Sequence, residues 1–172
     1  MTEQTISIEI QLSPLVKKLL KRANDQPYPK RSTAGSAGFD VMAAIEQNTI
    51  IEVGERQLIP SGLFLKMPDG LVADVRPRSG LALKQGLTLL NTPGTIDSDY
   101  RGEIGVIMIN HGKEAVTIEP LARVAQIVFL TLPKINMDIT TDLSKNNHKD
   151  DNVITNSTAL PLRGTGGFGS TG

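Results

Sequence analysis

Ile6, Ile8, Ile10 and Leu12 alternate with Ser7, Glu9 and Gln11, which predicts a strand with one buried face. Ser13 and Pro14 then suit the N-cap and first position of a helix. The following Leu-Val-Lys-Lys-Leu-Leu-Lys-Arg carries about two amphipathic turns. A membrane-surface helix would have this look, but the apolar face is small, and packing against the rest of the protein is the better expectation for 13–23. A loop rich in Pro, Ser and Gly covers 24–38. Short strand-like runs follow at 39–45, 49–53, 56–59, 63–67, 71–75, 87–90, 104–109, 115–118 and 124–132. Val-Gly-Glu, Pro-Ser-Gly, Pro-Asp-Gly, His-Gly-Lys and Glu-Pro punctuate them as turns. Many short strands at near-regular spacing predict an all-β sandwich or barrel.

Residues 91–106 break the rhythm. Apolar strand-like residues flank them, yet the stretch is far longer than a two-residue hairpin turn. Long structured connections in compact domains are usually functional. This one gathers backbone groups, Asp97, Asp99 and Tyr100 in a small space. A second candidate is Arg78-Ser79-Gly80 ahead of Leu-Ala-Leu-Lys-Gln-Gly86. Ser79 reads as a helix N-cap and Gly86 as the glycine that ends the helix. A helix start exposes amide donors that suit phosphate, and Arg78 adds a fork of donors.

Composition narrows the function. At 172 residues the chain is long enough for one domain with a real core. Eighteen basic residues balance eighteen acidic ones, so no general field attracts nucleic acid. No cysteine is present, which removes disulfides, thiolate metal sites and the zinc deaminase pattern. His111 and His148 lack metal-ligand spacing. No secretory pattern or membrane-length apolar run is seen, so a cytoplasmic protein without membrane partners is expected. Residues 140–160 are polar and read as a flexible tether between a core at 1–139 and a glycine-rich end at 161–172. That end contains Gly164-Thr-Gly-Gly-Phe-Gly169, but no strand precedes it and no helix can follow, so it is no dinucleotide fingerprint.

Five ordered segments carry a family resemblance. They are Ala37-Gly-Phe-Asp-Val-Met-Ala, Pro77-Arg-Ser-Gly-Leu-Ala, Gly94-Thr-Ile-Asp-Ser-Asp-Tyr-Arg-Gly-Glu, Arg123-Val-Ala-Gln, and Arg163-Gly-Thr-Gly-Gly-Phe-Gly-Ser-Thr-Gly. In this order they resemble the five motifs of the homotrimeric dUTP pyrophosphatases, or dUTPases. The resemblance implies a jelly-roll-like β-barrel with one short internal helix and a flexible C-terminal arm. It implies Mg²⁺-dependent hydrolysis of dUTP to dUMP and diphosphate, which keeps dUTP out of DNA and supplies dUMP for thymidylate synthesis. Each site would draw on three subunits: the hairpin from one, the phosphate loop from a second, the tail from a third.

The resemblance also implies roles. Asp97 would be the general base that aims water at the α-phosphorus and accepts its proton; the residues alone rank Asp97 and Asp99 nearly equally. Asp40 would hold water bound to magnesium. Arg78, Ser79 and Gly80 would take the phosphates, with Ser79 on the oxygen bridging the α- and β-phosphates. Asn91, Thr95, Ile96 and Gly105 would form a slot for the uracil edge, rejecting thymine and cytosine. Tyr100 would lie under the sugar and exclude a 2′-hydroxyl. Gln126 would approach the phosphates, although a satisfied buried amide is the plainer reading. Arg163 would clamp the γ-phosphate, Phe168 would stack on uracil, and Ser170 and Thr171 would add donors, so that the tail acts as a lid. Two alternatives remain: a dCTP deaminase of the same superfamily, and a non-catalytic nucleotide-gated interaction module.

Overall fold

A computed structural model describes residues 5–137, 139 and 164–167. Ser13 opens helix α1 (Pro14–Arg22), its hydroxyl accepting the Val16 N–H at 3.2 Å. That satisfies one amide which a helix start would otherwise leave unpaired. The helix turns Val16, Leu19 and Leu20 into the protein and leaves Lys17, Lys18, Lys21 and Arg22 exposed. The small apolar face is thus covered by packing, as its size suggests.

In chain order the strands are β1 (Glu9–Leu12), β2 (Lys30–Arg31), β3 (Phe39–Met42), β4 (Thr49–Ile51), β5 (Arg56–Pro60), β6 (Leu63–Lys66) and β7 (Leu71–Arg76). After helix α2 (Ser79–Gln85) come β8 (Leu87–Leu89), β9 (Gly94–Asp97), β10 (Gly105–Asn110), β11 (Val116–Ile118) and β12 (Arg123–Thr131). They pair as β1-β6, β5-β10-β8, β11-β4 and β2-β3-β12-β7-β9, every pair antiparallel. The all-β class therefore holds. Ile51, Ile59, Leu63, Leu87, Ile104, Met108 and Ile127 fill the shared core. Each such side chain contributes roughly 1.5–3 kcal/mol by leaving water.

The structure departs from the pattern reading in four places, the first being β2, which lies in the stretch 24–38 expected to be loop. The first strand covers only Glu9–Leu12, and Ile6 and Ile10 stay exposed at 45% and 47%. β9 lies inside the stretch expected to be an open loop, and it joins β7 rather than the hairpin arms. Its Gly-Thr-Ile-Asp sequence has little strand character alone; pairing with the buried Val72–Val75 run decides it. Ser79 is not the N-cap. Arg78 holds that position in extended conformation without a side-chain cap bond, and Ser79 is already helical. Gly86 ends the helix at φ 69°, as expected, and a side chain there would strike the Gly112 backbone.

The five-stranded sheet places the chemistry. Directly paired residues of antiparallel strands face the same way. Lys30, Asp40, Gln126 and Arg76 thus form one row across β2, β3, β12 and β7. Asp74 and Thr95 form the next row, and Val72 and Asp97 the one after. Phe39, Ile127, Val75 and Gly94 lie on the opposite side.

Candidate functional site

Two clusters hold most of the described candidates. The first is a pocket of about 180 Å³ lined by Val75, Leu89, Asn91, Gly94, Thr95, Ile96, Tyr100, Glu103, Gly105, Ile107 and Gly167. Its walls come from two sheets: β8 and β10 on one side, β7 and β9 on the other. β8 pairs with β10 through Leu89 and Met108, while β9 crosses to β7. The chain between them opens a cleft. All five expected base-and-sugar residues, Asn91, Thr95, Ile96, Tyr100 and Gly105, meet here.

Tyr100 closes one end. Its N–H bonds the Asp97 carbonyl at 3.1 Å, making a turn that contains Ser98 and Asp99. Its hydroxyl donates to the Glu103 carbonyl at 3.0 Å. Arg101 braces the same turn by donating to the Ser98 and Tyr100 carbonyls at 2.7 and 2.9 Å. Residues 164–167 arrive beside it. Arg101 N–H donates to the Gly164 carbonyl at 2.6 Å, and Gly167 stands against the tyrosine and the pocket. Residues 164–167 thus lie against the hairpin of their own chain, where the resemblance assigns hairpin and tail to different subunits.

The second cluster surrounds Asp40. Its Oδ1 lies 3.3 Å from Arg78 Nε, and its Oδ2 3.2 Å from an Arg123 guanidinium nitrogen. Ser32 donates to the same Oδ2 at 3.2 Å, and Arg78 also reaches the Arg123 carbonyl at 3.0 Å. Gln126, Asp40's direct neighbour on β12, donates to the Pro77 carbonyl at 3.0 Å. A side chain at Gly38 would strike that amide. This half-buried amide thus has a backbone partner that also steadies the approach to Arg78, Ser79 and Gly80. Ser79 and Gly80 are exposed at the start of α2.

Asp97 ends β9 one residue beyond the pocket wall Ile96, half-buried and directed with Thr95 to the polar side of the sheet. It does not line the pocket. Neither do Asp40, Arg78, Ser79, Gly80 or Gln126. Arg163, Phe168, Ser170 and Thr171, with the 140–160 tether, lie outside the described residues. The pattern reading missed Glu103 and Arg123. Both stand within the motif segments, but their partners lie far along the chain. Gly62 donates to Glu103 Oε1 at 2.7 Å, and Asp40 holds Arg123.

No group of three or more His, Cys, Asp or Glu suited to a metal exists among the described residues. Asp40, the carboxylate of the second cluster, is engaged by Arg78, Arg123 and Ser32. No described helix is long and apolar enough to cross a membrane.

The family model for dUTPase matches residues 24–158. The deoxyuridine 5′-triphosphate nucleotidohydrolase of Rickettsia canadensis is 48% identical over 144 residues, covering 84% of this chain and 87% of the relative. The structure of dUTPase from Streptococcus mutans is similar with a TM-score of 0.58 at 35% identity, covering 63% of this chain and 88% of that one. A variant dUTPase from phage phi11 of S. aureus shares the fold, with a TM-score of 0.67 at 18% identity over 81% of this chain and 99% of that one.

Proposed function

The chain belongs to the dUTPase family, and from this we infer that it hydrolyses dUTP to dUMP and diphosphate. One observation carries the reading. The cleft lined by Asn91, Thr95, Ile96, Tyr100 and Gly105 brings the residues of the expected base-and-sugar slot together, and the strand forming its wall ends in Asp97. Uracil would pair with amides and carbonyls along β9 and β10, and a thymine methyl or a cytosine amine would leave polar groups unmatched. Tyr100, held by its hydroxyl bond and its turn, would block a 2′-hydroxyl.

In this reading Asp97 orients the attacking water toward the α-phosphorus and takes its proton. The Arg78 guanidinium and the Ser79 hydroxyl hold the phosphate chain, and Gly80 permits close approach. Asp40 keeps Arg78 in place and would help hold, through water, an ion carried by the phosphates. Magnesium, when bound, would neutralise phosphate charge and fix the chain's conformation. Members of the family generally use a divalent metal, and the phi11 relative coordinates a structural Mg(II) ion. Arg163, Phe168, Ser170 and Thr171 would close over the nucleotide from the tail. Cytoplasmic residence suits an enzyme of the nucleotide pool.

The proposed assembly is a homotrimer with shared sites. Its support is the separation of the two clusters within one chain. Among the described residues the slot and the Arg78 loop do not line a common pocket, which suits a base and its triphosphate held by more than one chain. Sedimentation equilibrium tests this, and a monomer at assay concentration that remains fully active would refute it.

The decisive assay follows hydrolysis of dUTP, dCTP, dTTP and UTP with and without magnesium. Diphosphate release confined to dUTP and dependent on the ion is the expected result. Ammonia release from dCTP, or binding of dUTP without turnover, would overturn it.

A further inference from the structure

Glu103 is held at both ends. Its side chain accepts the Gly62 N–H at 2.7 Å, and its own carbonyl accepts the Tyr100 hydroxyl at 3.0 Å. Glu103 is also among the residues that line the pocket. Gly62 sits in a turn between β5 and β6 that is bonded on every side. Ser61, fully buried, donates through its hydroxyl to the Ile104 carbonyl at 2.6 Å and accepts the Leu63 N–H at 3.1 Å. Ile104 N–H donates to the Leu63 carbonyl at 2.9 Å. The turn is in turn seated on α1. Ser13 N–H donates to the Gly62 carbonyl at 2.8 Å, and an added Gly62 side chain would meet Ser13 Oγ at 2.7 Å and Val16 Cβ at 2.8 Å.

We propose that Glu103 is a positioning residue for sugar selection. Its side chain fixes residues 103–104 against the 61–63 turn, and its carbonyl then fixes the Tyr100 hydroxyl. The inference rests on the reading of Tyr100 as the wall that rejects a ribose. It extends that wall through Gly62 to Ser13, which precedes the segment matched by the family model. The bond needs an acceptor oxygen at Gly62, not a negative charge, and this separates Glu103 from a proton-transfer or metal-binding carboxylate.

The test compares Glu103→Gln, Glu103→Asp and Glu103→Ala, each assayed on dUTP and UTP. Glu103→Gln keeps an acceptor at the same reach and stays within about threefold of the parent in every parameter. Glu103→Asp keeps the charge but falls a methylene short. Like Glu103→Ala, it raises KM for dUTP about tenfold and narrows the preference for dUTP over UTP by a similar factor, the scale of one lost hydrogen bond. In both, kcat at saturating dUTP changes little. Amide exchange at Gly62, read by NMR without nucleotide, is slow in the parent and in Glu103→Gln and fast in the other two. A large loss of kcat in Glu103→Gln would show that the charge itself acts and would overturn the proposal. So would an unchanged dUTP-to-UTP preference in Glu103→Asp, which retains the ion and serves should Glu103→Ala fail to fold. A parent that does not hydrolyse dUTP would instead sink the enzymatic reading, with the Gly62 exchange pattern still deciding the contact.

Discussion

Asp40 on β3 holds Arg78, two residues past β7 of the same sheet, with Oδ1 3.3 Å from Nε, and shares its other oxygen with Arg123 at 3.2 Å. Arg78 and Arg123 are 26% and 51% exposed, so the ion pairs are screened and stabilise the fold by only about 1 kcal/mol or less. Their value lies in direction. A guanidinium tethered on one edge presents its remaining donors along a fixed line. Asp40→Asn should therefore leave the unfolding temperature almost unchanged while kcat/KM for dUTP falls on the order of 10- to 100-fold. Thermal unfolding beside steady-state kinetics checks this, and equal losses in both would assign Asp40 to stability instead.

Asp97→Asn removes the proposed base and keeps the size of the side chain. Turnover of dUTP should drop roughly 10²- to 10⁴-fold with KM nearly unchanged. Turnover at the parent rate would remove Asp97 from the mechanism. The matched Asp99→Asn variant, altered in the turn between Asp97 and Tyr100, should lose far less.

Chelation offers a separate view. No cluster of metal-ligating side chains exists among the described residues. An ion carried by substrate phosphates should then matter to catalysis and not to folding. EDTA should abolish dUTP hydrolysis and leave the melting curve where it was. A melting point lowered by the chelator would reveal a resident structural ion.

Deleting residues 161–172 should leave the core as stable as before, because the described part of the tail lies against the hairpin around Tyr100 and Arg101 and adds no residue to the buried apolar core. Activity should fall by about a hundredfold in kcat/KM if the tail orders the bound nucleotide. Mixing the truncated chain with an Asp97→Asn chain, refolded together, asks which subunit supplies the tail. Activity recovered in the mixture requires a tail passed between chains.

Tyr28 supplies a pH prediction. Burial pushes its hydroxyl up to about 12 from 10.0, with a further push from the Glu103 charge, against the opposing bonds with Met42 and Ser61. The folded protein thus keeps a proton that the unfolded chain sheds near pH 10. Stability from this group is complete below about pH 10 and is lost as pH climbs toward 12, a change of roughly 2–3 kcal/mol. The tyrosinate absorbance difference between parent and Tyr28→Phe should rise near pH 12 in the folded protein and near pH 10 in denaturant. The Phe variant should also unfold more easily at neutral pH, by about 1–2 kcal/mol, since the Ser61 carbonyl loses its donor at 2.9 Å.

Local pattern made much of this legible in the sequence. Ser13 and Pro14 start α1, Gly86 ends α2, and the nine expected runs from 39 onward each coincide with a strand, some shortened and some extended at an end. Asn91, Thr95, Ile96, Tyr100 and Gly105, singled out from the motifs, line one pocket. What was not legible depends on pairing across distance. β9 becomes a strand because β7 offers it a buried edge, and β2 is two residues defined only by its register with β3. Ser79 has the right chemistry for an N-cap, but the chain enters the helix one residue earlier, through Arg78. Glu103 looks like any acid after a glycine until Gly62, 41 positions away, is seen against it.

β12 is gripped on both flanks, by β3 and by β7. An extra residue inserted midway would swing Gln126 toward the interior and Ile127 into water, and two neighbouring strands would object at once. Evolution can therefore lengthen this polypeptide harmlessly past Thr131, where no strand among the described residues keeps the count. The reading frame of the fold is locked there, and the long polar stretch at 140–160 begins after the lock.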